Sequence, residues 1–168
     1  PPTPLERCRR ADDDGDGVTE ANGDTDDDVT AVITSYGSAP ALLIQADPSA
    51  NLVLGATASG YGLHIRGAVS ALGLYEGVNA TAIRIEGDGG GSTVTTANGI
   101  AVDNVVGAAA LEADAYGLYI GVDATAPTLT VRRQVTTTVV SDAANASRAL
   151  FIATGANVAT LDNSGVLR

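Results

Sequence analysis

From Val29 onward the chain alternates apolar and polar residues in short runs, punctuated by Gly, Ala, Ser, Asn and Asp. One phrase recurs: a small residue, then apolar–any–apolar, often closed by Gly or an acid. It reads Ala41-Leu42-Leu43-Ile44, Gly62-Leu63-His64-Ile65, Gly73-Leu74-Tyr75-Glu76-Gly77 and Ala82-Ile83-Arg84-Ile85. It returns as Gly99-Ile100-Ala101-Val102, Gly117-Leu118-Tyr119-Ile120 and Ala149-Leu150-Phe151-Ile152. A period of two marks strands buried on one face. The pattern predicts Leu, Ile and Val inward, and His64, Tyr75, Arg84 and Tyr119 outward. Weaker strands are expected at Asn51–Leu54, Ser92–Thr95, Thr128–Val131 and Thr136–Val140, with another at Val29–Tyr36. The best helical candidate, Ala108–Ala115, is flanked by strand-like sequence.

Self-similar short strands point to stacked repeats. The apolar onsets Leu42, Leu63, Leu74, Ile83, Ile100, Leu118 and Leu150 lie 21, 11, 9, 17, 18 and 32 residues apart. A solenoid wound from one chain favours an even turn length; three chains intertwined about one axis tolerate uneven spacing. The expected fold is therefore all-β, an elongated β-helix or β-solenoid rod, intertwined or stacked with other copies as a trimer or polymer. Small side chains suit a narrow shared core, because a body of Ala and Val buries little surface on its own.

Composition narrows the function. The 168 residues carry nine Arg, no Lys and twenty acids, a net charge of −11. That excludes the basic stripe that nucleic-acid binding requires. No run approaches the roughly 20 apolar residues of a membrane-spanning helix. Cys8 and His64 are the single Cys and the single His, so Cys-rich and multi-His metal centres are excluded. No catalytic constellation is visible, and the expectation is a protein that is not an enzyme.

The charge is unevenly placed. Residues 1–28 hold ten acids and three Arg, and residues 29–168 hold ten acids and six Arg. The chain thus divides into an extended leader with an Asp-rich loop (1–28) and a repetitive β-helical body (29–168). Two Asp-x-Asp-x-Asp triplets begin twelve residues apart, at Asp12, Asp14, Asp16 and at Asp24, Asp26, Asp28. Alternate carboxylates on a tight loop converge on a hard cation, and Gly15 and Gly17 permit the turn. With Glu20 and the Val18 carbonyl, these residues are candidate ligands for Ca2+, which takes six to eight oxygens. Repulsion among the carboxylates should keep the loop unfolded without the ion.

The first half of the loop matches the opening of an EF-hand, although Gly23 stands where the twelfth-position Glu belongs. Residues 12–28 more closely resemble thrombospondin type 3 calcium-binding repeats and the Asp-rich motifs of secreted bacterial proteins. Cys8 matches the first Cys that those bacterial motifs carry, and Thr25 stands in place of the second. The body resembles the triple-stranded β-helix shafts of phage tail fibres, phage hyaluronate lyases among them. The stretch Ala149–Leu167, with its Asp162-Asn163-Ser164-Gly165 turn, is the nearest echo. That resemblance implies a fibre shaft for host attachment, or a polysaccharide-degrading tail-spike-like enzyme.

Tyr116, Tyr119, Asp114 and Asp123 form an aromatic–acid cluster, and Tyr116 and Tyr119 are expected to straddle a strand and pack at a surface between chains. His64 is expected to be structural, Cys8 incidental or bridging between chains, and Asp88–Ser92 a turn rather than a phosphate cradle. Asn79-Ala80-Thr81 and Asn145-Ala146-Ser147 are glycosylation acceptor patterns. Calcium at millimolar levels is an extracellular condition. The expectation is an extracellular or cell-surface fibre subunit, its signal peptide removed, assembling with other copies and contacting a cell surface or polysaccharide.

Overall fold

The computed structural model describes residues 31–141 and 144–168, and Val32–Arg168 form one compact unit. Its strands in chain order are β1 (Val32–Tyr36), β2 (Leu42–Gln45), β3 (Leu52–Leu54), β4 (Leu63–Ile65), β5 (Ala68–Glu76), β6 (Ala80–Glu86), β7 (Val94–Thr96) and β8 (Ile100–Val102). They continue as β9 (Val105–Leu111), β10 (Ala115–Ile120), β11 (Ala124–Val131), β12 (Gln134–Val140), β13 (Ser147–Ile152), β14 (Asn157–Asn163) and β15 (Val166–Leu167). Among the described residues there is no helix, and none long and apolar enough to cross a membrane.

All strand ladders are parallel. Three sheets result. The first runs β1-β5-β9-β12-β15 and the second β2-β6-β10-β13; the third stacks β3 and β4 on β7 and β8, then β11, then β14. The chain visits face one, face two and face three, then returns to face one a layer further on. Parallel neighbours need a long crossover, and here the rest of each turn supplies it. The body is a β-solenoid, all-β as the alternation predicts.

The strands pair within the chain, although the uneven spacing pointed to pairing between chains. On the first face Val32 lies beside Ala68, Val69 beside Val106, Val105 beside Gln134 and Gln134 beside Val166. These steps are 36, 37, 29 and 32 residues. The differences are absorbed mainly on the third face. There β3 and β4 are parted by residues 55–62, β7 and β8 by residues 97–99, and β11 is continuous. β11 then pairs with β7 near its start and with β8 at its end. Gly99 makes the shorter break possible: its φ is +102°, and a Cβ there would sit 1.9 Å from the Thr128 carbonyl oxygen. The stretch 108–115 ends β9 at Leu111, turns through residues 112–114 and opens β10 at Ala115, because alternate alanines such as Ala108 and Ala110 fill the narrow interior.

Inward residues stack in columns along the turns. Leu42, Ile83, Leu118 and Leu150 form one, and Ile44, Ile85, Ile120 and Ile152 another. Leu63, Ile100, Leu129 and Leu161 form a third. On the first face the column is Ile33, Val69, Val106, Val135 and Leu167. Ala71, Ala108 and Ala110 share that face and are buried. β5, β9 and β12 pack against β6, β10 and β13, so small side chains of the first face meet Leu and Ile of the second. Complementary sizes allow the dense packing of a protein interior.

Candidate functional site

The predicted calcium ligands Asp12, Asp14, Asp16, Val18, Glu20, Asp24, Asp26 and Asp28 lie outside the described residues, as does Cys8. Within the body, three features stand out: a polar clamp on the third face, an aromatic–arginine cluster on the second, and the two outermost turns.

His64 projects outward from β4. Its register neighbour on the next turn is Ala101, followed by Thr130. Asp103 follows β8 and Arg132 follows β11, so three successive turns bring the charged residues together. His64 Nε2 lies 2.7 Å from Asp103 Oδ2, and Arg132 Nη1 donates to both Asp103 oxygens at 2.9 and 3.1 Å. Arg132 Nη2 donates to the Tyr61 hydroxyl at 2.7 Å, and the guanidinium lies 5.4 Å from the Tyr61 ring centre. Ala101 and Thr130 are buried although they face outward. The lone histidine is thus a structural member, as expected, but of a network. Its partners Tyr61, Asp103 and Arg132 were not legible, because His64 and Asp103 are 39 residues apart and Asp103 and Arg132 are 29 apart. Only the turn lengths would have aligned them.

Burial alone would raise the Asp103 pKa, but the hydrogen bonds from His64 and Arg132 outweigh it and hold the carboxyl below the usual aspartate range. An ionised carboxylate accepts, so His64 Nε2–H is the donor. A depressed folded-state pKa contributes stability that is fully present above the ordinary aspartate range. That contribution is lost as pH falls through the folded value. Asp103→Asn is expected to lower the melting temperature by about 2–4 °C at pH 7, as for a partly exposed ion pair. The gap between variant and parent should narrow as the pH is lowered below the ordinary aspartate range; a gap unchanged by acidification would show that the charge is not the cause.

On the second face, Tyr116, Tyr119 and Phe151 pack ring to ring. Their centroids are 5.5 Å apart for the tyrosine pair, 5.6 Å for Tyr116–Phe151 and 5.0 Å for Tyr119–Phe151. Both tyrosines point outward from the same strand rather than straddling it. Arg84 lies 4.7 Å from the Tyr119 ring centre and Arg148 5.2 Å from that of Phe151. Arg84 also pairs with Glu86 at 2.7 Å. Such cation–ring contacts stabilise modestly at exposed sites. Burial, reinforced by a hydrogen bond to Asp114, raises the Tyr116 pKa. Asp123 stands apart, in the turn between β10 and β11 with φ +59°. The Asp88 side chain caps its own turn by accepting from Gly90 and Ser92 N–H, as the turn reading expects.

The outermost turns are less covered. Column members inside the stack are almost fully buried: Ile83, Leu129 and Ile120 are 0 % exposed. At the first turn Ile33 is 41 % exposed, and at the last Ile152 and Leu161 are 42 % and 47 %. Leu42, Ile44, Leu63 and Leu150 are half-buried. Each end therefore offers a row of part-exposed apolar side chains beside outermost strands.

Comparison with protein-family models, with curated proteins and with solved structures found no match.

Proposed function

We propose that the chain is a structural subunit of an extracellular β-rich fibre, with copies stacking head to tail through their outermost turns. The observation that supports it is the match between the ends. The columns that open with Ile33, Leu42, Ile44 and Leu63 close with Leu167, Leu150, Ile152 and Leu161. A following copy would meet like side chains in each of these columns. One neighbouring column opens with Ile65 and closes with the polar Asn163, so the match is strongest on the first two faces. Outermost strands template further pairing, and complementary unlike ends give an open filament rather than a closed ring. The Asp-rich segment 12–28, as a calcium-ordered element of the junction, fits an extracellular setting.

Electron microscopy and sedimentation of the chain with millimolar calcium test this reading. Parent protein should form filaments, and fewer of them after chelation. Ile33→Lys and Ile152→Lys each place a charge at one end, on a side chain already part-exposed, so the fold should survive. Each variant alone should be monomeric, and an equimolar mixture should give dimers through the two intact ends. Self-association of either variant alone would mean that like ends meet, and discrete trimers of the parent would mean a closed shaft. Either result would overturn head-to-tail stacking.

A further inference from the structure

We infer that the cavity between the 55–62 connection and β4 binds a small oxyanion: a carboxylate, sulfate or phosphate on a molecule no larger than one sugar unit. The cavity measures about 390 Å3, and Thr57, Ser59, Leu63, His64 and Arg66 line it. That volume lies near the lower end for small-molecule sites.

Its charge sets it apart. The body is acidic overall, yet no carboxylate lines this cavity. The nearby Asp103 is already held by His64 and Arg132. Arg66 and His64 stand two residues apart, on the same side of the strand and its extension. Arg84, Arg132 and Arg148 are each engaged with an acid, a hydroxyl or a ring. The exposed Arg66 guanidinium has no hydrogen-bond or ion-pair partner among the described residues. A planar guanidinium is suited to a two-oxygen anion, and bonds to such an anion are stronger than neutral ones.

The wall opposite is prearranged. Thr57 N–H donates to the Tyr61 carbonyl at 2.8 Å, Gly60 N–H to the Thr57 carbonyl at 2.9 Å, and Asn98 Nδ2 to the Gly60 carbonyl at 2.8 Å. The Thr57 hydroxyl is committed to the Tyr61 carbonyl. The Ser59 hydroxyl is 2.8 Å from Thr57 Oγ1 and rotates about one bond to reach an anion. Exchanging a neutral hydroxyl contact for a charge-assisted one is favourable. Holding the connection in advance lowers the ordering cost of binding.

The single histidine provides the readout. Its imidazole Hε1 proton gives a single NMR resonance, reporting from the cavity wall. Sulfate, phosphate and acetate are titrated separately against chloride, at fixed pH and ionic strength. At least one should move the His64 resonance saturably, with a midpoint of about millimolar, the affinity of a small-ion site. Arg66→Gln should weaken that binding tenfold or more without changing the melting temperature. Arg148→Gln, on the second face, should leave it unchanged. A shift that never saturates, or one that Arg66→Gln leaves intact, overturns the proposal. A sulfated monosaccharide binding more tightly than sulfate would identify a pendant group as the ligand; equal affinity would identify the free ion. Both of those outcomes support the site.

Discussion

Replacing Gly99 by alanine is expected to cost more than about 4 kcal/mol, the range reserved for severe backbone and packing damage. Two effects combine. The residue sits at φ +102°, which an L side chain rarely adopts, and its Cβ would lie 1.9 Å from the Thr128 oxygen and 2.8 Å from the Thr128 carbon and nitrogen. Those atoms are backbone of β11, paired with β8 on one side and β14 on the other. They cannot retreat without breaking two ladders. The Gly99 carbonyl also accepts from Gly62 and Leu63 N–H at 3.1 and 3.3 Å, so a displaced Gly99 drags the first turn with it. Gly60 is the control: its φ is +90°, and an added Cβ would meet nothing within 4 Å. Gly60→Ala should cost only local strain, about 1–2 kcal/mol. Thermal unfolding followed by circular dichroism decides the matter. Gly99→Ala should melt at least about 10 °C below the parent, and a drop of two or three degrees would refute the argument.

The second large effect distinguishes positions within one column. Ile44, Ile85, Ile120 and Ile152 occupy the same inward position on successive turns. Ile85 and Ile120 are 1 % and 0 % exposed, whereas Ile152 is 42 % exposed. Truncating an interior member removes contacts on every side and leaves a cavity that neighbouring turns cannot close. Ile85→Ala and Ile120→Ala should each cost about 3–4 kcal/mol. Ile152→Ala, with water already on one side, should cost about 1 kcal/mol by the area it removes from contact. Urea unfolding of the dilute monomer measures the difference. Equal costs along the column would mean that the outermost turn is covered in solution. In assembled material the cost of Ile152→Ala should rise toward the interior value, since a following turn would enclose it.

Much of the body was legible because strand alternation is local. Leu42, Leu63, Ile83, Ile100, Leu118 and Leu150 all face inward, and His64, Arg84 and Tyr119 face outward, as the period of two requires; Leu74, also expected inward, is instead 55 % exposed, because the buried positions of β5 are Val69, Ala71 and Gly73. The turn length was not legible. The phrase repeats per strand rather than per turn, and the third face breaks into two strands in some turns and not in others. Without the turn length, Ile44 cannot be matched to Ile85, nor His64 to Asp103. The same gap hid Tyr61 and Arg132, and it favoured pairing between chains. Arg66 carries no local signal at all; only the fold places it beside the 55–62 connection. Tyr116 and Tyr119 defied simple alternation because the backbone between them shifts phase at Gly117. There a Cβ would come within 2.6 Å of Val135 Cγ1 on the facing sheet.

The direction of the hydrogen bonds has a mechanical consequence. In the parallel ladders they run from turn to turn, so a pull between the first and last turns loads them head-on and in sequence rather than in shear. Such a body yields by peeling, one turn at a time, with each turn's resistance set by its own ladder and column. The Tyr61–His64–Asp103–Arg132 clamp interrupts that order, because it fastens residues of three successive turns at a single point. It acts as a staple across the seam, so peeling that starts at the first turn must break it before the turns behind it are loaded.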